Sequence, residues 1–286
     1  MREQHLVTTA WLAAHLDDAD LRIYDATVHL RPATPGPYTI ESGHADYLAA
    51  HTPGAAFLDL AQDLSDRDSS LRFTMPKAAQ LNDALSRAGL GNEHRVVLYS
   101  TTTPMWATRL WWMLRASGHT AVQVLDGGMG KWRAEGRPVS TGAASYPPAK
   151  FHAAPQPDRW ADQAQVLAAI GAGDVCTINA LASAVHSGSA EMNYGRKGHI
   201  KGSVNVPYAS LVGADGAFHA EDTLRAAFAG VAALTRPRVI CYCGGGISAT
   251  MDALALTVLG HGNVAVYDGS MSEWVRDENL PMETGA

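Results

Sequence analysis

The sequence predicts two α/β domains, each a mostly parallel sheet flanked by helices. Short apolar runs alternate with longer amphipathic stretches along the whole chain, the pattern of parallel strands joined by helical crossovers. The second half also repeats the first: Ala107 to Trp132 and Ala249 to Trp274 match without a gap at an offset of 142 residues. Finally, 286 residues is about twice the length of a typical domain.

Taken in order, residues 21–26, 95–100 and 121–125 read as strands of the first copy, and 77–88 and 105–117 as its helices. In the second copy 175–180, 203–206, 239–242 and 263–267 read as strands. Residues 162–170, 221–229 and 248–259 suit helices there. Upstream, His51-Thr-Pro-Gly54 answers His199-Ile-Lys-Gly202, and Asp25-Ala26 answers Asn179-Ala180. Pro147, Pro148, Pro155 and Pro157 crowd the segment between the copies, and proline at that density favours an extended connector. The expected division is 1–142, a linker at 143–159, and 160–286.

Composition narrows the function. The chain has 22 basic and 28 acidic residues, a net charge of −6, with no block of Lys or Arg. Neither a nucleic-acid partner nor a basic membrane face is expected. No window approaches the roughly 18 apolar residues of a membrane span, and the polar start lacks a secretory h-region. Three cysteines are too few for a disulfide scaffold. The expectation is a soluble cytoplasmic protein with reduced thiols.

The sharpest chemical feature is Cys243-Gly244-Gly245-Gly246-Ile247-Ser248, between an apolar strand and a long helix. Consecutive glycines let the backbone curl so that successive N–H groups point inward, and the helix adds its positive end. Such a cradle favours a thiolate over a thiol and suits a larger sulfur anion such as a persulfide. The plainer alternative, that Cys243 merely ends a buried strand at a tight turn, is the weaker reading for this whole strand–Cys–Gly–Gly–Gly–helix pattern. Cys176 and Cys241 lie within apolar strands and are expected to pack. A Cys-based phosphatase or arsenate reductase is disfavoured, because the loop and first helical turn hold no Arg to grip phosphate. No zinc spacing and no Walker or dinucleotide fingerprint occurs, so neither metal nor cofactor is expected.

The duplication, this loop, Tyr47-x-x-x-His51-Thr-Pro-Gly-Ala55 and Val266-Tyr-Asp-Gly-Ser-Met-Ser-Glu-Trp274 together resemble the two-domain rhodanese family, over about residues 21–284. The resemblance implies a sulfurtransferase of the thiosulfate or 3-mercaptopyruvate type. A small anionic donor would give its sulfane sulfur to Cys243, and a thiol or cyanide acceptor would remove it. The first copy carries Tyr99-Ser100-Thr101-Thr102-Thr103 at the loop and resembles a silent partner. The alternative is a catalytically weak binding or regulatory protein of the same fold.

Departures from the family bear on the substrate. Mercaptopyruvate-type loops carry a Ser or Thr hydroxyl where this chain has Gly245, and the His and Asp of the implied proton relay fall at Phe73 and Ala61. The basic loop residues of thiosulfate-type members are absent too. Substrate charge must then be met from outside the loop. The resemblance points to Arg196, with Lys197 behind it, ahead of Asp66, Arg67 and Arg72. Gly244, Gly245, Gly246, Ile247 and Ser248 complete the expected anion site. His51, His119, His199 and His261 recur in both copies, which suits structural hydrogen bonding rather than catalysis. Trp132 and Trp274 are expected in the core. Oligomeric state is left open.

Overall fold

The computed structural model of the protein describes residues 1–31 and 38–285. The first half supplies β1 (Leu6–Val7), α1 (Thr9–Ala14), β2 (Leu21–Asp25), β3 (Val28–Arg31), β4 (Thr39–Ser42), α2 (His44–Ala49) and β5 (Ala56–Phe57). It continues with α3 (Ala78–Arg87), β6 (Arg95–Tyr99), α4 (Met105–Ala116), β7 (Val122–Leu125) and α5 (Gly128–Ala134). Its sheet has the order β1-β7-β6-β2-β5, parallel throughout. The second half supplies β8 (Trp160–Ala161), α6 (Gln163–Ala169), β9 (Val175–Asn179), α7 (Ser183–His186), β10 (His199–Ile200) and β11 (Val204–Asn205). α8 (Glu221–Ala229), β12 (Arg238–Tyr242), α9 (Ala249–Val258), β13 (Val264–Tyr267), α10 (Ser270–Trp274) and β14 (Met282–Glu283) complete it. Its sheet, β11-β9-β12-β13-β8, is also parallel. Two antiparallel pairs, β3–β4 and β10–β14, lie outside the main sheets.

Long elements follow the sequence reading to within about one residue at each end. The elements it missed are short. β1, β5 and β8 have two residues each, too few for a period-2 pattern, and tertiary pairing alone makes them strands. The proline-rich connector contains no long element but is fastened along the first domain. Ser140 bridges His51, Ala154 N–H donates to the Ser117 carbonyl, and Phe151 is buried in the core.

β6 and β12 leave the two sheets at equivalent points. Ser100 accepts the Met129 N–H through its carbonyl at 3.3 Å, and Cys243 accepts that of Met271 at 3.0 Å. Ser100 is therefore the structural counterpart of Cys243. The halves meet helix on helix, α4 against α9, and Thr108 Oγ1 lies 2.7 Å from Thr250 Oγ1. Residues at the repeat offset touching each other is the signature of an isologous contact, here between two copies in one chain. One apolar cluster runs across this contact from Leu6 to Leu280.

Candidate active site

β12 is the central strand of its sheet, so the loop after it emerges at the carboxyl end of the strands, where α/β sheets bind ligands. Cys243 stands at that exit with 2% of its surface exposed. Two of the amide hydrogens that follow or precede the turn are tied down: Cys243 N–H and Gly246 N–H both donate to Ser270 Oγ, at 3.1 and 3.0 Å. Ser270 Oγ in turn donates to the Tyr267 carbonyl at 2.7 Å, so its hydrogen-bonding capacity is filled. Holding this serine in place requires the left-handed backbone at φ 49°.

The loop carbonyls are turned outward. Cys243 C=O accepts from Met271 N–H, Gly244 C=O from both Ser272 N–H (2.9 Å) and Ser272 Oγ (2.7 Å), and Gly246 C=O from Arg109 Nη1 (3.2 Å). Because a trans peptide sets C=O and N–H in opposite directions, fixing these carbonyls outward aims the next N–H groups inward. Among the described residues, the N–H groups of Gly244, Gly245, Ile247 and Ser248 have no protein acceptor. The result is a ring of unpaired amide donors beside a thiol, continued by the start of α9.

Each glycine has its own reason. Gly246 is at φ +73°, and an added Cβ would also stand 2.7 Å from the Asp268 carbonyl oxygen. At Gly244 a Cβ would fall 2.0 Å from Tyr194 Oη, so only glycine lets that hydroxyl approach. Tyr38, Tyr194 and Tyr208 all have raised pKa values, from burial first and then from the nearby Cys243 charge. They remain neutral phenols at physiological pH, able to donate to a sulfur anion.

A cleft of about 520 Å³ opens beside Gly245, with Tyr38, Tyr194, Ser272, Arg72 and Arg276 on its walls. Arg276 crosses between the domains to Ser70 Oγ at 2.8 Å, and Arg72 donates to the Tyr38 carbonyl at 3.2 Å. Neither has a carboxylate partner among the described residues, so two cations face the cleft. The sequence-expected Arg196 lies elsewhere: its guanidinium donates to the carbonyls of Asp277 and Leu280, at 3.2 and 3.0 Å. Lys197 faces Glu191 at 3.8 Å on the surface. Gly195, at φ +127°, turns the chain so that Tyr194 enters the cleft while Arg196 points to the C-terminal segment. Arg67 is on the surface near Asp63. Arg276 had no signal in the sequence beyond its place two residues after Trp274.

Ser100, by contrast, spends its hydroxyl on the Thr103 carbonyl, and the cavity of about 560 Å³ over this silent loop has no thiol. The duplicated histidines are structural where bonded: His51 Nδ1 meets the Tyr47 carbonyl at 2.8 Å and His199 Nδ1 that of His186 at 2.8 Å. Cys176 and Cys241 are buried, and burial raises both thiol pKa values.

The description Rhodanese-like domain matches residues 8–135 and 182–277. The chain belongs to the rhodanese family. It is 34% identical over 275 residues to the 3-mercaptopyruvate sulfurtransferase of Escherichia coli strain K12, covering 96% of this chain and 95% of that protein. It is 32% identical over 288 residues to the thiosulfate sulfurtransferase of Rattus norvegicus, covering 98% and 94%. The crystal structure of SseA from Escherichia coli, a 3-mercaptopyruvate sulfotransferase described by its "Rhodanese" fold, superposes with a TM-score of 0.82 at 32% identity. That superposition covers 94% of this chain and 99% of SseA. Among the described residues no helix of this rhodanese is long and apolar enough to cross a membrane.

Proposed function

We propose that this rhodanese is a sulfurtransferase working by double displacement at Cys243. The observation that carries the reading is the set of four unbonded loop N–H groups beside a thiol. In the first step the Cys243 thiolate attacks the sulfane sulfur of a small anionic donor. A new S–S bond forms, and the donor's bond to that sulfur breaks with its electron pair leaving on the departing group. The resulting persulfide anion is held by the N–H groups and the neutral tyrosines. In the second step a thiolate or cyanide acceptor attacks the outer sulfur and returns the Cys243 thiolate.

Arg72 and Arg276 would hold the donor's negative groups at the cleft wall, the role that the sequence reading gave to Arg196 and Lys197. The relay positions carry Gly245, Phe73 and Ala61, none of which can move a proton. That favours a donor whose leaving group departs as a stable anion without protonation. Thiosulfate, which releases sulfite, fits better than 3-mercaptopyruvate, whose enolate product needs a proton. Three free, buried thiols suit a reducing compartment, and cytoplasmic operation is part of the reading.

The test is intact-mass spectrometry after incubation with each donor. One added sulfur, lost in Cys243→Ser, is the expected result, with thiosulfate loading faster than mercaptopyruvate. A protein that gains no sulfur from either donor, or gains it equally in Cys243→Ser, would overturn the reading.

A further inference from the structure

Arg109 belongs to the silent domain, yet its guanidinium is fully buried against the catalytic loop of the other. On α4 it is the neighbour of Thr108, the residue at the helix–helix contact. Nη1 donates to the Gly246 carbonyl at 3.2 Å and lies 2.7 Å from Asp268 Oδ1. Nη2 donates to the carbonyl of Phe73 at 2.5 Å, and the guanidinium carbon stands 4.8 Å over the Trp160 ring. Asp268 is held in turn by the Met75 N–H on Oδ2 at 2.7 Å. Three carbonyl or carboxylate groups from three chain segments thus converge on one planar fork.

A buried, paired charge is poor evidence for stability, since an apolar core of the same volume often does as well. The repeat offers a comparison within the chain. At the repeat offset Arg109 corresponds to Met251, so the equivalent buried position on α9 carries no charge at all. The same interface position is apolar where there is no thiol to serve and cationic where there is one. Helix packing alone does not require that asymmetry.

We propose that Arg109 is a positioning residue for sulfur transfer: by holding the Gly246 carbonyl outward it aims the Ile247 N–H at the Cys243 sulfur. The inference rests on the reading of Cys243 as the sulfur carrier. The Gly246–Ile247 peptide is planar and trans, so its N–H points opposite to the carbonyl that Arg109 grips. Gly246 is at φ +73° and its N–H is pinned by Ser270, which leaves this peptide one soft rotation, about its own flanking bonds. Arg109 closes that freedom. Its second arm, on the carbonyl of Phe73 at φ 62°, fixes the first-domain segment that covers the loop. Through Arg109, the silent domain sets the direction of an N–H donor in the active one.

The test measures Cys243 alkylation by a neutral reagent against pH, together with donor steady-state kinetics. Arg109→Met removes the strut. The double variant Arg109→Met/Asp268→Asn also removes the carboxylate that would lose its ion-pair partner, and it keeps the experiment open if the single variant fails to fold. A charge-assisted hydrogen bond to an anion is worth about tenfold or more, so the midpoint of the alkylation profile should rise by about one pH unit. Turnover should fall about tenfold, with KM for thiosulfate changed less than about twofold, because the lost donor faces the sulfur and not the donor's oxyanion. Arg109→Lys, which keeps one donor for Gly246, should recover part of both effects. Arg2→Ala, which cuts interdomain contacts to Phe218 and His219 away from the loop, should lower stability without moving the midpoint. An unmoved midpoint in a folded Arg109→Met or double variant overturns the proposal, as does an equal shift in Arg2→Ala. The alkylation comparison does not depend on any donor. Failure of the wild-type chain to take up sulfur would count against the sulfurtransferase reading alone.

Discussion

Gly244 and Gly245 are adjacent in the loop but face opposite constraints. A methyl group on Gly244 would collide with the Tyr194 hydroxyl, whereas on Gly245 it would meet nothing nearer than Ser272 Oγ at 3.9 Å. Gly245→Ala should therefore fold and transfer sulfur nearly as the parent does. Gly244→Ala should displace Tyr194 and cut turnover at least tenfold; equal activities in the two variants would remove Tyr194 from the site. A parallel contrast separates the arginines. Arg72→Ala should weaken use of an anionic donor by roughly tenfold to a hundredfold, the worth of one charge-assisted hydrogen bond. Arg196→Ala should instead lower stability, because it frees the carbonyls of Asp277 and Leu280. Steady-state donor kinetics beside thermal unfolding of both variants tests the assignment, and a reversed pattern would restore Arg196 to the cleft. Cys243 and its glycines were legible in the sequence because loop chemistry is local. The basic wall was not, since Arg72 and Arg276 come together only when the two domains close on each other.

At the scale of elements, the duplication supplies an internal control for the end of β2. Asp25 is fully buried, and its Oδ1 accepts from the Thr27 N–H at 2.8 Å and from the Thr27 hydroxyl. At the matching end of β9, Asn179 Oδ1 accepts from the Leu181 N–H at 2.9 Å, the same turn without a charge. Burial raises the Asp25 pKa from 3.8 to about 6, against the lowering effect of the Thr27 hydrogen bonds. The folded state thus keeps a proton that the unfolded chain sheds near pH 4, so stability from this group falls as pH rises through about 4 to 6. Above that window the buried carboxylate costs at most about 3 kcal/mol relative to an unshifted acid. Asp25→Asn should raise the urea midpoint at about pH 7.5 and change it little near about pH 4. A midpoint lowered at both pH values would show that the charge is satisfied by something other than Thr27. The fragments Asp25-Ala26 and Asn179-Ala180 made this correspondence readable from the sequence, but the buried charge emerged only with the fold. The elements that the sequence concealed, such as two-residue β5 and β8, draw their stability from pairing with β2 and β13 rather than from their own pattern.

For the whole molecule the question is whether two homologous halves behave as two folding units. Interfaces between domains of one chain are often small and polar enough to let each unfold alone. Here the contact is of another kind. The apolar cluster that contains residues of β6 and α4 of the first half is the same one that contains residues of β12 and α9 of the second, and Trp106, Trp112 and Leu254 within it are at most 1% exposed. Polar groups reinforce it. Arg109 on α4 spans to Gly246 and Asp268, and Arg2 joins Asp126 to the carbonyls of Phe218 and His219. Unfolding either domain would expose the apolar face of its partner's central helix and strand a buried guanidinium without its carbonyls, and each term opposes a half-folded state. The two halves should therefore lose structure in one transition. Native-state hydrogen exchange in rising denaturant resolves this, because the slowest amides of β6 and β12 report the two sheets separately. Both should converge on the same opening free energy with the same denaturant slope. If β12 amides open through a smaller, shallower unit while β6 stays protected, the catalytic domain unfolds on its own, and the silent domain is a neighbour rather than half of a single cooperative fold.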